Sequence, residues 1–200
     1  MTKKIKIEDN FLEQEKFDEI ELIINPLKQE YVKEDGSASQ NISWYFRYQY
    51  YAKPTEDKSL RGWEEEEGEL DQFQFTHTFY DGHIPQSPYM EQVNCFFKPL
   101  HMVSIFRIRA NLLTRLPKIV SHPFHTDITF LSEKELAQWT TSIFYVNTNN
   151  GYTLFEDGTK VESIANRMLT FPANMKHTGT TCTDQPIRIV VNFNYYRRTT

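Results

Sequence analysis

Within the stretch His122-Pro123-Phe124-His125-Thr126-Asp127, an imidazole and a carboxylate stand two residues apart. In extended backbone, alternate side chains share a face, so His125 and Asp127 point the same way and can grip one cation. Two ligands rarely hold a metal by themselves. A third candidate, His177, opens the strand-like run Lys176-His177-Thr178-Gly179-Thr180. Two imidazoles and one carboxylate on one side of a metal leave its other coordination positions open. Eleven residues beyond His177, Arg188 lies inside the apolar, β-branched run from Ile187 to Phe193. An unpaired guanidinium is costly in such a strand, so Arg188 calls for an anion.

His-x-Asp, a distal His and then a basic residue, in this order and spacing, resemble the Fe(II)/2-oxoglutarate-dependent dioxygenase superfamily. Two further stretches carry the resemblance. Asn150-Gly151-Tyr152-Thr153-Leu154-Phe155 resembles the Gly-Gly-x-Thr-x-Phe stretch of prolyl-hydroxylase-type members, with Asn150 in place of the first Gly. Asn166-Arg167-Met168-Leu169-Thr170-Phe171-Pro172 resembles the strand that leads into the second ligand His. The resemblance covers residues 101–200 and extends to small phage-borne members of the superfamily.

The resemblance implies that His125, Asp127 and His177 hold Fe(II) and carry the catalysis. It implies that Arg188 binds the distal carboxylate of 2-oxoglutarate, the cosubstrate consumed with O2 as succinate and CO2 form. Many relatives place a hydroxyl residue two positions after this Arg, where the present chain has Val190. Tyr145, in Ile143-Phe144-Tyr145-Val146-Asn147, resembles a strand tyrosine of the prolyl hydroxylases and is the candidate to replace that hydroxyl. The implied substrate is a peptide or protein side chain. Oxidation of a small molecule and a metal-binding jelly-roll module without turnover stay open as alternatives. Arg107, Arg109 and Asn111 alternate onto one face ahead of the metal stretch, to line the pocket or to face solvent. His122 is expected beside the ligands or at the surface.

Composition narrows the class. Two hundred residues suffice for a single domain with a sizeable core. We divide residues 1–200 into an N-terminal part, 1–100, of helices, edge strands and a lid loop, and a core, 101–200, with the metal site. Aromatics make up 14% of the chain, which suits a β-rich interior. The net charge of −5 argues against a nucleic-acid partner, which favours a basic patch. Two cysteines make no disulfide framework. No apolar run reaches the length of a membrane span, and no signal core follows Met1-Thr2-Lys3-Lys4. A soluble cytoplasmic protein is expected.

The elements that must position the site follow from periodicity. Residues 5–10 alternate as a short strand. Phe17, Ile20, Ile23, Ile24 and Leu27 recur at helical spacing, with a stop at Asn25-Pro26. Residues 44–52 and 72–80 are aromatic and strand-like, and the charged segment 53–70 between them is a surface loop. Together, 53–80 are expected to form a lid or substrate-recruiting segment. Ser87-Pro88 opens a helix that buries Tyr89, Val93, Phe96 and Phe97. Beyond residue 101, short β-branched runs punctuated by Asn-Gly, Asp-Gly and Pro number eight when the His125 stretch is included. That count and regularity predict a double-stranded β-helix, or jelly roll, with a brief helical excursion over residues 133–138.

Overall fold

Period-2 alternation in one long strand divides the molecule into a packing side and a site side. Strand β11 (Ile187–Arg197) sends Ile189, Val191 and Phe193 to one face and Arg188, Val190, Asn192 and Asn194 to the other. The structure is a computed structural model that describes residues 5–28, 41–48 and 73–198. In chain order it has β1 (Lys6–Glu8), α1 (Gln14–Ile24), β2 (Tyr45–Tyr48), β3 (Phe73–Asp81), β4 (Ile84–Pro85) and β5 (Met102–Thr114). There follow α2 (Glu133–Leu136), β6 (Thr140–Tyr145), β7 (Tyr152–Phe155), β8 (Lys160–Glu162), β9 (Arg167–Pro172), β10 (His177–Gly179) and then β11.

The strands form two antiparallel sheets of a jelly roll, flanked by helices. The larger runs β1-β9-β6-β11-β5-β3-β2, with β4 paired to β3; the smaller runs β10-β7-β8. On the packing side, Phe17 of α1 meets Phe144 edge-on at 6.1 Å, and Phe96 packs against both Phe144 and Phe193 at 4.8 Å. Each such buried aromatic contributes roughly 1.5–3 kcal/mol relative to its exposed state. On the site side, Ile143, Tyr145, Phe155, Leu169, Phe171 and Val190 fill the space between the sheets. Among the described residues, no helix is long and apolar enough to cross a membrane.

Several expectations shift. The helical stripe ends at Ile24, since Asn25 leaves helical backbone and Pro26 begins a short 3-10 turn, so Leu27 is exposed. The segment after Ser87-Pro88 is a 3-10 helix over Glu91–Phe96. The Ser87 hydroxyl accepts the Tyr89 N–H and also bonds His77 Nε2, which fixes a turn ahead of it. The His125 stretch forms only isolated bridges, at Ser121 and His125, instead of a strand. Pro123 between them has no N–H to donate. Residues 133–138 begin as expected with α2, opened by a Ser132–Glu135 capping box at its N-terminus.

Residues 53–72 of the expected lid lie outside the described residues. Residues 73–80 belong to β3, hydrogen-bonded to β2 on one side and to β5 on the other, so this part is sheet and not lid.

Candidate metal site

His125 and His177 face each other across an antiparallel bridge. Each donates its backbone N–H to the other's carbonyl at 3.0 Å. Their ring centroids lie 5.0 Å apart. Asp127 follows His125 by two residues, and its carboxylate lies 3.9 Å from Nε2 of both rings. One ligand atom from each of the three residues falls within 4.8 Å of the others.

The surroundings settle which atoms face inward. Nδ1 of His125 sits 3.1 Å from the Pro123 carbonyl, and Nδ1 of His177 lies 3.2 Å from that of Met175. A carbonyl only accepts, so Nδ1 carries the proton and Nε2 the lone pair that points at Asp127. Burial pushes the His177 ring below its ordinary pKa, against the pull of Asp127, and favours the neutral form that a metal requires. Burial alone would raise the Asp127 carboxyl. His177, Arg107, His125 and the Asn194 hydrogen bond outweigh it and bring the carboxyl down to about 2. The donor set is therefore two imidazoles, that of His177 held in its neutral form by burial, and an ionised carboxylate. Those donors fit a divalent cation such as Fe(II).

A second set of contacts holds Asp127. Asn194 donates from Nδ2 to Oδ2 at 2.8 Å. Arg107 stands 3.6 Å from Oδ1, donates to the Asp127 carbonyl at 3.3 Å, and donates to Asn194 Oδ1 at 3.3 Å. The apolar run from Ile187 to Phe193 has Asn192 as its last residue on the site face. One more step of period 2 reaches Asn194, a signal that could have been followed.

Arg188 lines the same pocket as the three candidate ligands. Its register partner on β5 is Leu113, while Asn194 pairs with Arg107 beside Asp127. Arg188 therefore sits six residues along β11 from the metal cluster, at the other end of the pocket. It is 3% exposed, and burial lowers its pKa from the ordinary value. Nε donates to Ser163 Oγ at 2.8 Å, and the guanidinium carbon lies 5.8 Å from the centre of the Tyr145 ring. No carboxylate among the described residues pairs with it.

Gly151 makes room for this arginine. A Cβ there would stand 2.6 Å from Arg188 Cδ, 2.8 Å from Asn149 Oδ1 and 2.9 Å from the Thr181 carbonyl. Thr153, two residues on, lines the pocket and accepts the Tyr145 hydroxyl at 2.8 Å. Tyr145 is fully buried, with its hydroxyl pushed up to about 12, chiefly by that burial. Its ring supports Arg188, and the hydroxyl that borders the pocket is that of Thr153. Arg109, Asn111 and His122 line the pocket as well.

Solved structures that share this fold include three prolyl hydroxylases. A prolyl hydroxylase of Trichoplax adhaerens, in complex with a hypoxia inducible factor oxygen degradation domain peptide fragment, aligns at TM-score 0.57 and 13% identity. That alignment covers 98% of this chain and 84% of that one. The viral collagen prolyl hydroxylase of Paramecium Bursaria Chlorella virus-1, in its 2-oxoglutarate complex, aligns at TM-score 0.51 and 12% identity, over 99% and 98%. A Pseudomonas putida prolyl-4-hydroxylase aligns at 0.50 and 11%, over 98% and 94%. No family model matches the sequence, and no curated protein matches it.

Proposed function

We propose that this protein is an Fe(II)- and 2-oxoglutarate-dependent dioxygenase that hydroxylates its substrate. One observation carries the proposal: a His125–Asp127–His177 cluster and a buried Arg188, with no carboxylate partner among the described residues, lie at opposite ends of one pocket. The shared fold with prolyl hydroxylases supports it.

His125 Nε2, Asp127 and His177 Nε2 would hold the iron. With 2-oxoglutarate and O2, Fe(II) in such a site supplies the oxidising power to hydroxylate a C–H bond as succinate and CO2 are released. The chain's own residues do the rest. The Pro123 and Met175 carbonyls fix the two imidazole tautomers. Asn194 and Arg107 restrain the carboxylate. Arg188 binds the distal carboxylate of 2-oxoglutarate through its planar fork, with its stem threaded past Gly151. Thr153 stands beside that carboxylate as the neutral hydrogen-bonding group. Leu113, Ile143 and Val190 line the pocket with apolar surface that excludes water. A metal-binding module without turnover has no use for a buried guanidinium at the pocket's far end. A peptide or protein side chain is the substrate class that the neighbouring prolyl hydroxylases suggest.

Succinate release from 2-oxoglutarate in the absence of substrate tests the proposal, since enzymes of this type turn over slowly when uncoupled. We expect Fe(II)-dependent succinate, abolished in Asp127→Ala with the fold intact. Succinate formation equal in the parent and in Asp127→Ala would refute it.

A further inference from the structure

Beside the metal cluster, on the site face of the larger sheet, lies a polar group with no part in the chemistry above. Arg109 pairs in register with Asn192 across β5 and β11, and Asn111 is the next residue on the same face of β5. All three line the pocket. Arg109 Nε is buried without a hydrogen-bond partner, and so are Asn111 Oδ1 and Asn192 Oδ1. No carboxylate among the described residues lies within ion-pair reach of Arg109. Asn111 is only 8% exposed, so water has little access to its amide. Buried polar groups left unpaired cost on the order of 1–3 kcal/mol each, which makes three together an exception that calls for a ligand.

The charges point to the kind of ligand. Arg107, Arg109 and Arg188 face this side of the sheet, and Asp127 is the one carboxylate among the described residues that line the pocket. Arg107 is committed to Asp127. Arg188 takes the distal end of 2-oxoglutarate, and a divalent cation cancels the charge of that dianion. Arg109, which feels Asp127 and Asp81 only at a distance, then keeps no ion-pair partner among the described residues even in the loaded site. Burial and the charge of Arg107 already hold its pKa down to about 10, so an arriving anion relieves both. Asn111 and Asn192 present acceptor oxygens next to it.

We propose that the substrate carries an anionic group, a carboxylate or a phosphate, bound by Arg109, and beside it a hydrogen-bond donor accepted by Asn111 and Asn192. The proposal narrows the substrate class, because an unmodified prolyl ring offers neither group. That the bound molecule is a substrate rests on the dioxygenase proposal; that Arg109 binds an anion does not.

Nitrogen-15 spectroscopy of the arginine Nε–H signals decides it. The protein is loaded with Zn(II), as a diamagnetic stand-in, and with 2-oxoglutarate, then titrated separately with sodium acetate and with inorganic phosphate. Arg109→Gln identifies the Arg109 signal, and because the side chain makes no hydrogen bond or ion pair within the described protein, the variant should fold. The expected result is a saturable shift of the Arg109 signal, absent in the variant. The affinity of the variant for 2-oxoglutarate should stay within about twofold of the parent's. The anion that binds more tightly separates a carboxylate substrate from a phosphorylated one. Three results would overturn the proposal: no saturable shift with either anion, a shift confined to Arg188, or a loss of about tenfold or more in 2-oxoglutarate affinity in Arg109→Gln. The last would assign Arg109 to the cosubstrate. Failure of Zn(II) or 2-oxoglutarate to bind would count against the dioxygenase proposal instead, and the same titrations on metal-free protein would still decide the role of Arg109.

Discussion

Gly151→Ala adds one methyl group at the point where the stem of Arg188 passes the chain. The backbone of Gly151 lies outside the left-handed region, so alanine meets a clash and no conformational strain. The new Cβ would stand 2.6 Å from Arg188 Cδ, about 0.8 Å short of ordinary contact. The Thr181 carbonyl at 2.9 Å belongs to backbone, and Asn149 Oδ1 at 2.8 Å already accepts the Gly151 N–H. Arg188 is therefore the group that must yield. Moving it by about 0.8 Å stretches its 2.8 Å bond to Ser163 beyond hydrogen-bond range and tilts the guanidinium away from the proposed 2-oxoglutarate carboxylate. Overpacking of this size costs roughly 1–3 kcal/mol, which lowers the melting temperature by about 2–12 °C in a protein of this length. Thermal melting followed by calorimetric titration of the metal-loaded variant measures both effects. The expected outcome is a lower melting temperature, a loss of about tenfold or more in 2-oxoglutarate affinity and parental metal affinity. Parental stability together with parental 2-oxoglutarate affinity would refute the threading of Arg188 past Gly151.

Asn194→Ala removes the hydrogen bond to Asp127 Oδ2, and a metal titration should show affinity weakened by roughly 10–100-fold with the secondary structure unchanged. Unchanged affinity would reduce Asn194 to a packing residue. His77 is buried, with Nδ1 donating to the Ser43 carbonyl and Nε2 accepting from Ser87, and burial lowers its pKa below the ordinary 6.5. The fold thus prefers the neutral ring: its stabilisation is complete above pH 6.5 and is lost as pH falls toward the depressed folded value. Melting temperatures of the metal-free protein should decline through that window, and His77→Gln should flatten part of the decline, the remainder coming from His177. An acid limb identical in the variant would count against it.

Strand periodicity was legible wherever residues alternated between the two faces of the larger sheet. The run from Ile187 to Phe193 separates Arg188, Val190 and Asn192 from Ile189, Val191 and Phe193, and the structure keeps that division. The metal stretch was legible from residue types but not from backbone form. His125 reaches His177 through a single bridge, set by two distant segments docking and by no local propensity. Asn194 was invisible as a partner of Asp127 for a related reason. The two lie 67 residues apart, and their contact depends on how the segment after β5 folds back over the sheet. Gly151 could be read as part of a motif, yet its purpose appears only where the stem of Arg188 crosses it. Helix ends were the least legible. Ser87-Pro88 carries the residue types of a helix start, but the Ser87 hydroxyl is shared with His77, and the helix begins only at Glu91.

The most direct measurement is the affinity of metal-loaded protein for 2-oxoglutarate, in the parent and in Arg188→Met. A charge-assisted bidentate pair contributes roughly 1.5–3 kcal/mol, which corresponds to a loss of about 10–100-fold. Divalent-metal affinity should stay near the parental value, since none of the three candidate ligands is touched, and Arg188→Lys should fall between, with the charge kept and the fork lost. An Arg188→Met variant that binds 2-oxoglutarate as tightly as the parent, with metal in place, would contradict the assignment of this pocket to that cosubstrate.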